Sequence, residues 1–587
     1  MKKIALQLIL FSTMLLLVNC KKEEKSIDFT ALTKSYFTDK NALDPLSATS
    51  NGLNEFNDKL EFEMTDSYAK KQSLFIDKYE KELTAVDTTK LSEEEKISYH
   101  IIEWECKIGK ELLKQPTNLM PVHQFWGTHL VMGQLAGGTG AQPFKTEKDY
   151  TNFLKRMDKY AVWIDSAMVY MKKGIKQGAV LPKALTIKMI PQFAEMPTPK
   201  IEDNLFYSAI KLMPNTFSEA VKKDLTAKYT ATIKDKLIPQ YKKMTDFLKN
   251  EYLPASRTTS GIGSLAFGKE LYAAYAKAYT TTEMTPEEIH ELGLKEVARL
   301  NAEMEKVKNQ VGFKGTLLAF FEEVRNKKEL KPFTKPEQVI ANFESIYERI
   351  KPNVNRLFLL QPKTKFEIRR TEAFREKTGS AEYNQGLADG SRPGIFYVPI
   401  PDVKNYNVYG DEDLFLHEAI PGHHFQISLQ QENKNLPDFR KFSGFGAYVE
   451  GWALYTESLG KELGLYQDPY QYFGMLSNEM HRAIRLVVDT GIHSKGWTRE
   501  QAIDYSLANE AESEASIIPE IERYMAIPGQ ALSYKIGQLK IIELRKKAEA
   551  KMGAKFDIKK FHEKVLESGA LPLALLEKKI NAWIKTE

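Results

Sequence analysis

Pro421 constrains this chain more than any other residue. It sits four residues after His417 in the run His417-Glu418-Ala419-Ile420-Pro421-Gly422-His423-His424, which holds three of the ten histidines of the 587-residue chain. Neutral imidazoles hold a divalent ion such as Zn2+, and a carboxylate beside them can take a proton from water that the ion has activated. In the plain His-Glu-x-x-His pattern the two histidines share one helical face at i and i+4. Here i+4 is a proline, which lacks an N–H and clashes with the carbonyl four residues back. On an unbroken helix His424, at i+7, would face the same way as His417 but about 10.5 Å further along the axis. The sequence therefore predicts a helix remodelled at Pro421-Gly422, so that a second histidine can swing towards His417. His423 is the preferred second ligand, with His424 lining the cleft as an acid or oxyanion donor. The local sequence does not separate the two.

A third ligand is sought in Gly446-Ala447-Tyr448-Val449-Glu450-Gly451-Trp452-Ala453-Leu454-Tyr455-Thr456-Glu457, an apolar helical stretch carrying two acids seven residues apart. Residues seven apart share a helix face. Carboxylates in so apolar a helix must be paired or metal-bound, because unpaired ionised burial is costly. Glu450 is the expected ligand and Glu457 the alternative; one of them could instead pair with a core arginine such as Arg485. Glu418 is then the expected general base.

The His-Glu-x-x-Pro-Gly-His-His run followed by Glu-Gly-Trp-Ala-Leu-Tyr resembles the bacterial DUF885 family. The matching stretches run from about Leu271 to Leu544. That family in turn resembles zincin-like (gluzincin) metallopeptidases of the thermostable-carboxypeptidase and angiotensin-converting-enzyme types. The resemblance implies a mainly α, large helical fold with a deep cleft, a small β-sheet beside the metal helix, and a zinc-ligating Glu on a later helix.

Three further stretches bear on substrate. Ser391-Arg392-Pro393-Gly394-Ile395-Phe396-Tyr397-Val398-Pro399-Ile400-Pro401 reads as a strand, and its flanking prolines predict an edge strand able to pair with a peptide, with Tyr397 as a contact. Arg482, Arg485, Asp489 and His493 follow three- and four-residue steps and so form one helical stripe. Arg485 and His493 are candidate substrate contacts from that stripe, and Asp489 could orient a metal-binding histidine. Tyr534 and Lys535, in a further family-like stretch, could stabilise an oxyanion and hold a peptide carboxylate.

The N-terminus reads as a signal. Met1-Lys2-Lys3 is a basic segment, Ile4 to Val18 is apolar but too short to span a membrane with these flanks, and Leu17-Val18-Asn19-Cys20 looks like a lipobox. Resemblance to bacterial lipoproteins implies cleavage before Cys20 and lipidation of its thiol. The expected organisation is a signal peptide over residues 1–19, a lipidated tether over 20–27, and a single helical catalytic domain over 28–587 with subdomains flanking the cleft. The expected place is the cell envelope, on an outer membrane facing the periplasm or the cell surface. With Cys20 lipidated, Cys106 is the one other cysteine. A disulfide within the chain and a multi-cysteine zinc site are then both excluded.

The formal charge of +5 is spread over 83 basic and 78 acidic side chains. Lys222-Lys223 is flanked by Glu219 and Asp224, and no basic stripe interleaved with aromatics emerges, so nucleic acid is not an expected partner. Apolar residues recur at helical spacing over Ser92 to Leu113, Thr146 to Lys176, Glu219 to Glu251 and Pro286 to Val311. Thr285-Pro286-Glu287-Glu288 carries a helix start: a threonine cap, proline in the first position and a glutamate at the third.

These readings combine into one expectation. The chain is a lipid-anchored zinc hydrolase cleaving short peptides, in an exopeptidase and carboxypeptidase-like manner. Glu418 is its base, and Tyr534 or His424 its oxyanion donor. The alternatives are a non-catalytic lipoprotein that binds peptides or metal, and a metal-dependent amide or ester hydrolase.

Overall fold

The computed structural model describes residues 27–138, 140–372, 376, 380–387, 390 and 392–586. Cys20, the signal and most of the tether lie outside them. The protein is mainly α, with 69% helix against 3% strand. Among the described residues no helix is long and apolar enough to cross a membrane.

The helices form where periodicity and capping predict them. Helix α1 (Glu147–Gln177) starts on a Thr146–Asp149 capping box. Helix α2 (Pro286–Gln310) starts on the expected box, with the Glu288 amide donating to Thr285 Oγ1 at 3.2 Å and the Thr285 amide to Glu288 Oε2 at 2.8 Å. The predicted helix from Glu219 is longer and less regular. It runs to Ala255 through wide π turns at Ile233–Leu237 and Leu248–Tyr252. Pro239 and Pro254 lie just past these turns, where a widened helix relieves the clash between a proline ring and the carbonyl four residues back.

Two large apolar cores result, beside a small cluster of Ile262, Leu265, Leu271 and Tyr272. One is built on α1 and the helices up to Tyr252, with Tyr160, Trp163 and Phe206 fully buried. The other joins the N-terminal helices to most of the chain after Ile289 and surrounds the His-rich run. Within this second core, α2 packs along the partner helix Pro469–His493.

The sheet has three strands: β1 (Phe366–Arg370), β2 (Glu382–Asn384) and β3 (Gly394–Val398). Their order is β1-β3-β2, parallel between β1 and β3 and antiparallel between β2 and β3. This corrects the expectation for Ser391 to Pro401: β3 is the central strand. Pro393 and Pro399 fall just outside the paired stretch, so their missing N–H groups interrupt no ladder bond. The two edges belong to β1 and β2.

Candidate metal centre

Four helices meet around the His-rich run: α3 (Asp411–Glu418), α4 (His423–Glu432), α5 (Gly446–Glu457) and α6 (Pro469–His493). Helix α3 stops at Glu418 and α4 restarts at His423, the interruption that Pro421 imposes. The turn passes through a cis Ile420–Pro421 bond. It folds so tightly that a Cβ on Gly422 would overlap the carbonyl oxygens of Leu416 and His417.

Helix α5 holds this turn from behind. The Trp452 indole donates to the Pro421 carbonyl at 2.9 Å, and the Thr456 hydroxyl donates to the Leu416 carbonyl at 3.0 Å. On its other side α5 crosses helix α8 (Ser533–Met552) at Gly451 and Gly537, backbone against backbone. A side chain at either glycine would collide with the backbone of the facing helix.

This scaffold brings His417, His423 and Glu450 together, with one potential ligand atom of each lying within 4.8 Å of the others. Glu450 Oε2 is 3.7 Å from His417 Nε2 and 3.5 Å from His423 Nε2. The two rings are nearly perpendicular, with centroids 4.7 Å apart. Two imidazole nitrogens and one carboxylate oxygen are the donor set of a zinc site that keeps a position open. Glu457 is not in this group. It sits behind His417, whose Nδ1 lies 2.6 Å from Glu457 Oε1.

The electrostatics agree with a cation site. Burial alone would raise the Glu450 carboxyl, but hydrogen bonds from His417 and His423 outweigh it and hold the group well below the usual carboxylate range. Burial would depress His417, yet Glu450 and Glu457 together hold its imidazolium well above the usual range. Glu418 is 92% shielded from solvent (8% exposed). Burial raises its carboxyl, opposed by His417 and His423.

His417, Glu418, His423 and Glu450 line a cavity of about 690 Å³. The cavity is also lined by α6 (Asn478, His481, Arg482, Arg485), by helix α7 (Glu514–Ala526), by Tyr534 and by Ser380 to Tyr383 at the start of β2. A larger cavity, about 1190 Å³, lies elsewhere, along Lys363 to Glu367 and Gln431 to Leu436, and contains none of these groups.

Several predicted residues lie outside the cavity. His424 turns away from the metal group: its Nδ1 is 3.0 Å from the Tyr383 hydroxyl, its ring packs against Phe366, and burial depresses it to about 4. Tyr397 stands on central β3, in register with Arg369 and Glu382. His493 is buried, accepting from the Ile262 amide at Nδ1 and lying 2.9 Å from the Tyr524 carbonyl at Nε2. Asp489 orients no metal-site histidine; it accepts from the Tyr272 hydroxyl and the Gly529 amide. Lys535 is fully buried between Glu479 at 2.5 Å and Glu296 at 3.0 Å. Arg485 and Tyr534 do face the cavity, the guanidinium lying 4.5 Å from the tyrosine ring centroid.

The α6 stripe enters the cavity one turn earlier than expected. Asn478 and His481, not singled out in the sequence, share the face of Arg482 and Arg485. Extending the same three- and four-residue steps backwards from Arg482 would have found Asn478. Beyond Arg485 the face runs beneath the Tyr524–Gly529 segment, which caps Asp489 and His493.

A mainly helical protein with a two-histidine, one-glutamate candidate metal centre is the class that fold and site define. The chain belongs to the DUF885 family, described as bacterial protein of unknown function, which matches residues 45–580. A crystal structure of a "putative lipoprotein" from Colwellia psychrerythraea is similar at 27% identity and a TM-score of 0.86, covering 95% of this chain and 99% of that one. A "putative lipoprotein of unknown function" from Shewanella oneidensis shares the fold at 21% identity and a TM-score of 0.72, covering 94% of this chain and 99% of that one. No curated protein matches the sequence.

Proposed function

We propose that this protein is a zinc-dependent hydrolase of peptide bonds in short peptides, tethered to the cell envelope through Cys20. The observation that carries the reading is the convergence of His417 Nε2, His423 Nε2 and Glu450 Oε2 at the wall of a polar cavity, with Glu418 beside them. His417, His423 and Glu450 would hold a zinc ion, which when bound would supply Lewis acidity to a carbonyl and to water. The resemblance to zincin-like peptidases points the same way, since a His-Glu helix joined by a Glu from a later helix is what that class implies. The lipobox-like Cys20 and the similarity to a Colwellia "putative lipoprotein" support an envelope location.

The chain's own residues divide the work. Glu457 holds the tautomer of His417 that leaves Nε2 free for the ion. Glu418 accepts a proton from the attacking water and delivers it to the leaving amine, so the C–N bond breaks as a C–O bond forms. The Tyr534 hydroxyl, across the cavity, donates to the carbonyl oxygen as charge builds there. His424 no longer competes for that role, because it is turned towards Tyr383.

The test is Glu418→Gln in the zinc-loaded protein, assayed on a mixed short-peptide library. Hydrolysis should fall by about 10²–10⁴-fold while zinc content is unchanged. A wild-type protein that binds zinc and peptides without cleaving any would shift the reading to a binding lipoprotein. Cleavage of N-acyl amides or esters alone would shift it to a non-peptide hydrolase.

A further inference from the structure

The cavity that the metal group lines also carries three guanidinium groups. Arg482, Arg485 and Arg523 all line it, against the acids Glu512 and Glu520. Arg485 is the most enclosed, at 5% exposure. Its Nε donates to the Tyr524 hydroxyl at 3.0 Å, and its Nη2 donates to Glu520 at 3.0 Å and lies 3.3 Å from His481 Nε2. Its Nη1 is buried without a hydrogen-bond partner among the described residues, and so is Arg482 Nε. An unsatisfied buried donor on a charged group costs more than a neutral one, so such an arrangement marks a place for an acceptor from outside the protein.

Glu520 does not neutralise the wall. It is shared among Arg485 at 3.0 Å, Arg523 at 3.2 Å and His481 at 3.7 Å. His481 is separately held by Glu510 at 2.5 Å. The Arg485 guanidinium carbon also lies over the Tyr534 ring, 4.5 Å from its centroid. A planar, rigid guanidinium with an open N–H matches a carboxylate better than any other common peptide group.

Resting on the peptidase reading above, we infer that Arg485, assisted by Arg482, binds the free C-terminal carboxylate of the substrate. The enzyme therefore removes residues from the C-terminal end. Arg482 and Arg485 line the same cavity as Glu418, His417, His423 and Glu450, and Arg485 is three residues further along α6, about 4.5 Å of helix rise. A carboxylate held on Arg485 would therefore place the chain end in the cavity that also holds the carbonyl being attacked. Longer chains continuing past that point would leave the guanidinium facing an amide it cannot pair with as well.

The test compares three N-terminally labelled peptides with the full zinc-loaded chain: the free acid and the C-terminal amide of one sequence, and the same amide with its last residue replaced by Glu. Binding is read by anisotropy in the Glu418→Gln protein and cleavage by product masses in the wild type. The free acid should bind and react at least tenfold better than the amide, with cuts confined to the last two bonds. In Arg485→Gln the acid-to-amide ratio should collapse towards one. Because the peptides are compared on unmutated Arg485, a misfolded variant does not decide the result. Equal use of acid and amide overturns the inference while leaving the peptidase reading intact, and recovery by the Glu-containing amide reassigns the site to a side-chain carboxylate. Preferential binding of the acid with no cleavage of any peptide keeps the carboxylate site and removes the peptidase.

Discussion

His417 Nδ1 and Glu457 Oε1 stand 2.6 Å apart, both buried, with Glu450 on the opposite side of the same imidazole. The ring bridges two carboxylates two helical turns apart on α5. One of them joins His423 in the candidate metal group, and the other lies against the nitrogen that points away from it.

Glu457→Ala should lower zinc affinity by about 10–100-fold, the usual effect of removing a carboxylate that orients a metal-binding histidine. Glu457→Gln should lose less, since an amide oxygen still accepts from Nδ1–H. Competition against a chromophoric chelator measures both. Unchanged affinity in Glu457→Ala would remove this positioning role.

His423→Ala and His424→Ala should part company. The first should lose stoichiometric zinc and keep its stability. The second should keep zinc but unfold at lower denaturant, by about 2–4 kcal/mol, as for other large core side chains cut to Ala. Metal analysis and urea titration on the same preparations decide between them; zinc loss in His424→Ala alone would reverse the assignment.

Lys535→Met should destabilise the protein severely, by about 3–5 kcal/mol, with little effect on bound zinc. The ammonium is fully buried between Glu296 and Glu479, and Arg299 alone cannot neutralise both. A stable variant with weakened peptide binding would restore Lys535 as a substrate residue.

Burial pushes the Asp489 carboxyl up to about 7, against the hydrogen bonds from Tyr272 and Gly529. An unfolded aspartate titrates near 3.9. Between those values the folded state holds a proton that the unfolded state has lost, so this group's contribution to stability falls as pH rises, by at most about 1.4 kcal/mol per pH unit, and levels off above pH 7. Any stability deficit of Asp489→Asn relative to wild type should therefore shrink between pH 4.5 and 7. Parallel denaturation curves across that range would contradict the shift.

Glu450 was legible because a carboxylate inside an apolar helix has few ways to be stable, and the helix break because proline cannot occupy i+4. The central position of β3 was not legible. Prolines just outside a short strand look the same in sequence as prolines that block its edge, and only the register of Phe366 and Glu382 against it tells them apart. Lys535 and His493 looked like site residues for a related reason: a polar group in an apolar helix signals a partner, and the partner proved to be the protein itself.

By itself, then, the sequence determined the helical class, the interruption after Glu418 and the kinds of donor available, because capping, periodicity and proline geometry act within a few residues. The tertiary structure decided that His423 and not His424 meets His417, that Glu450 meets them while Glu457 stands behind, and that the α6 stripe faces the cavity at Asn478 to Arg485 and is covered from Asp489 on. Periodicity sets the angle at which a side chain leaves its helix. What it meets there depends on Trp452, Thr456, Gly537 and the Tyr524–Gly529 segment, brought in from distant parts of the chain.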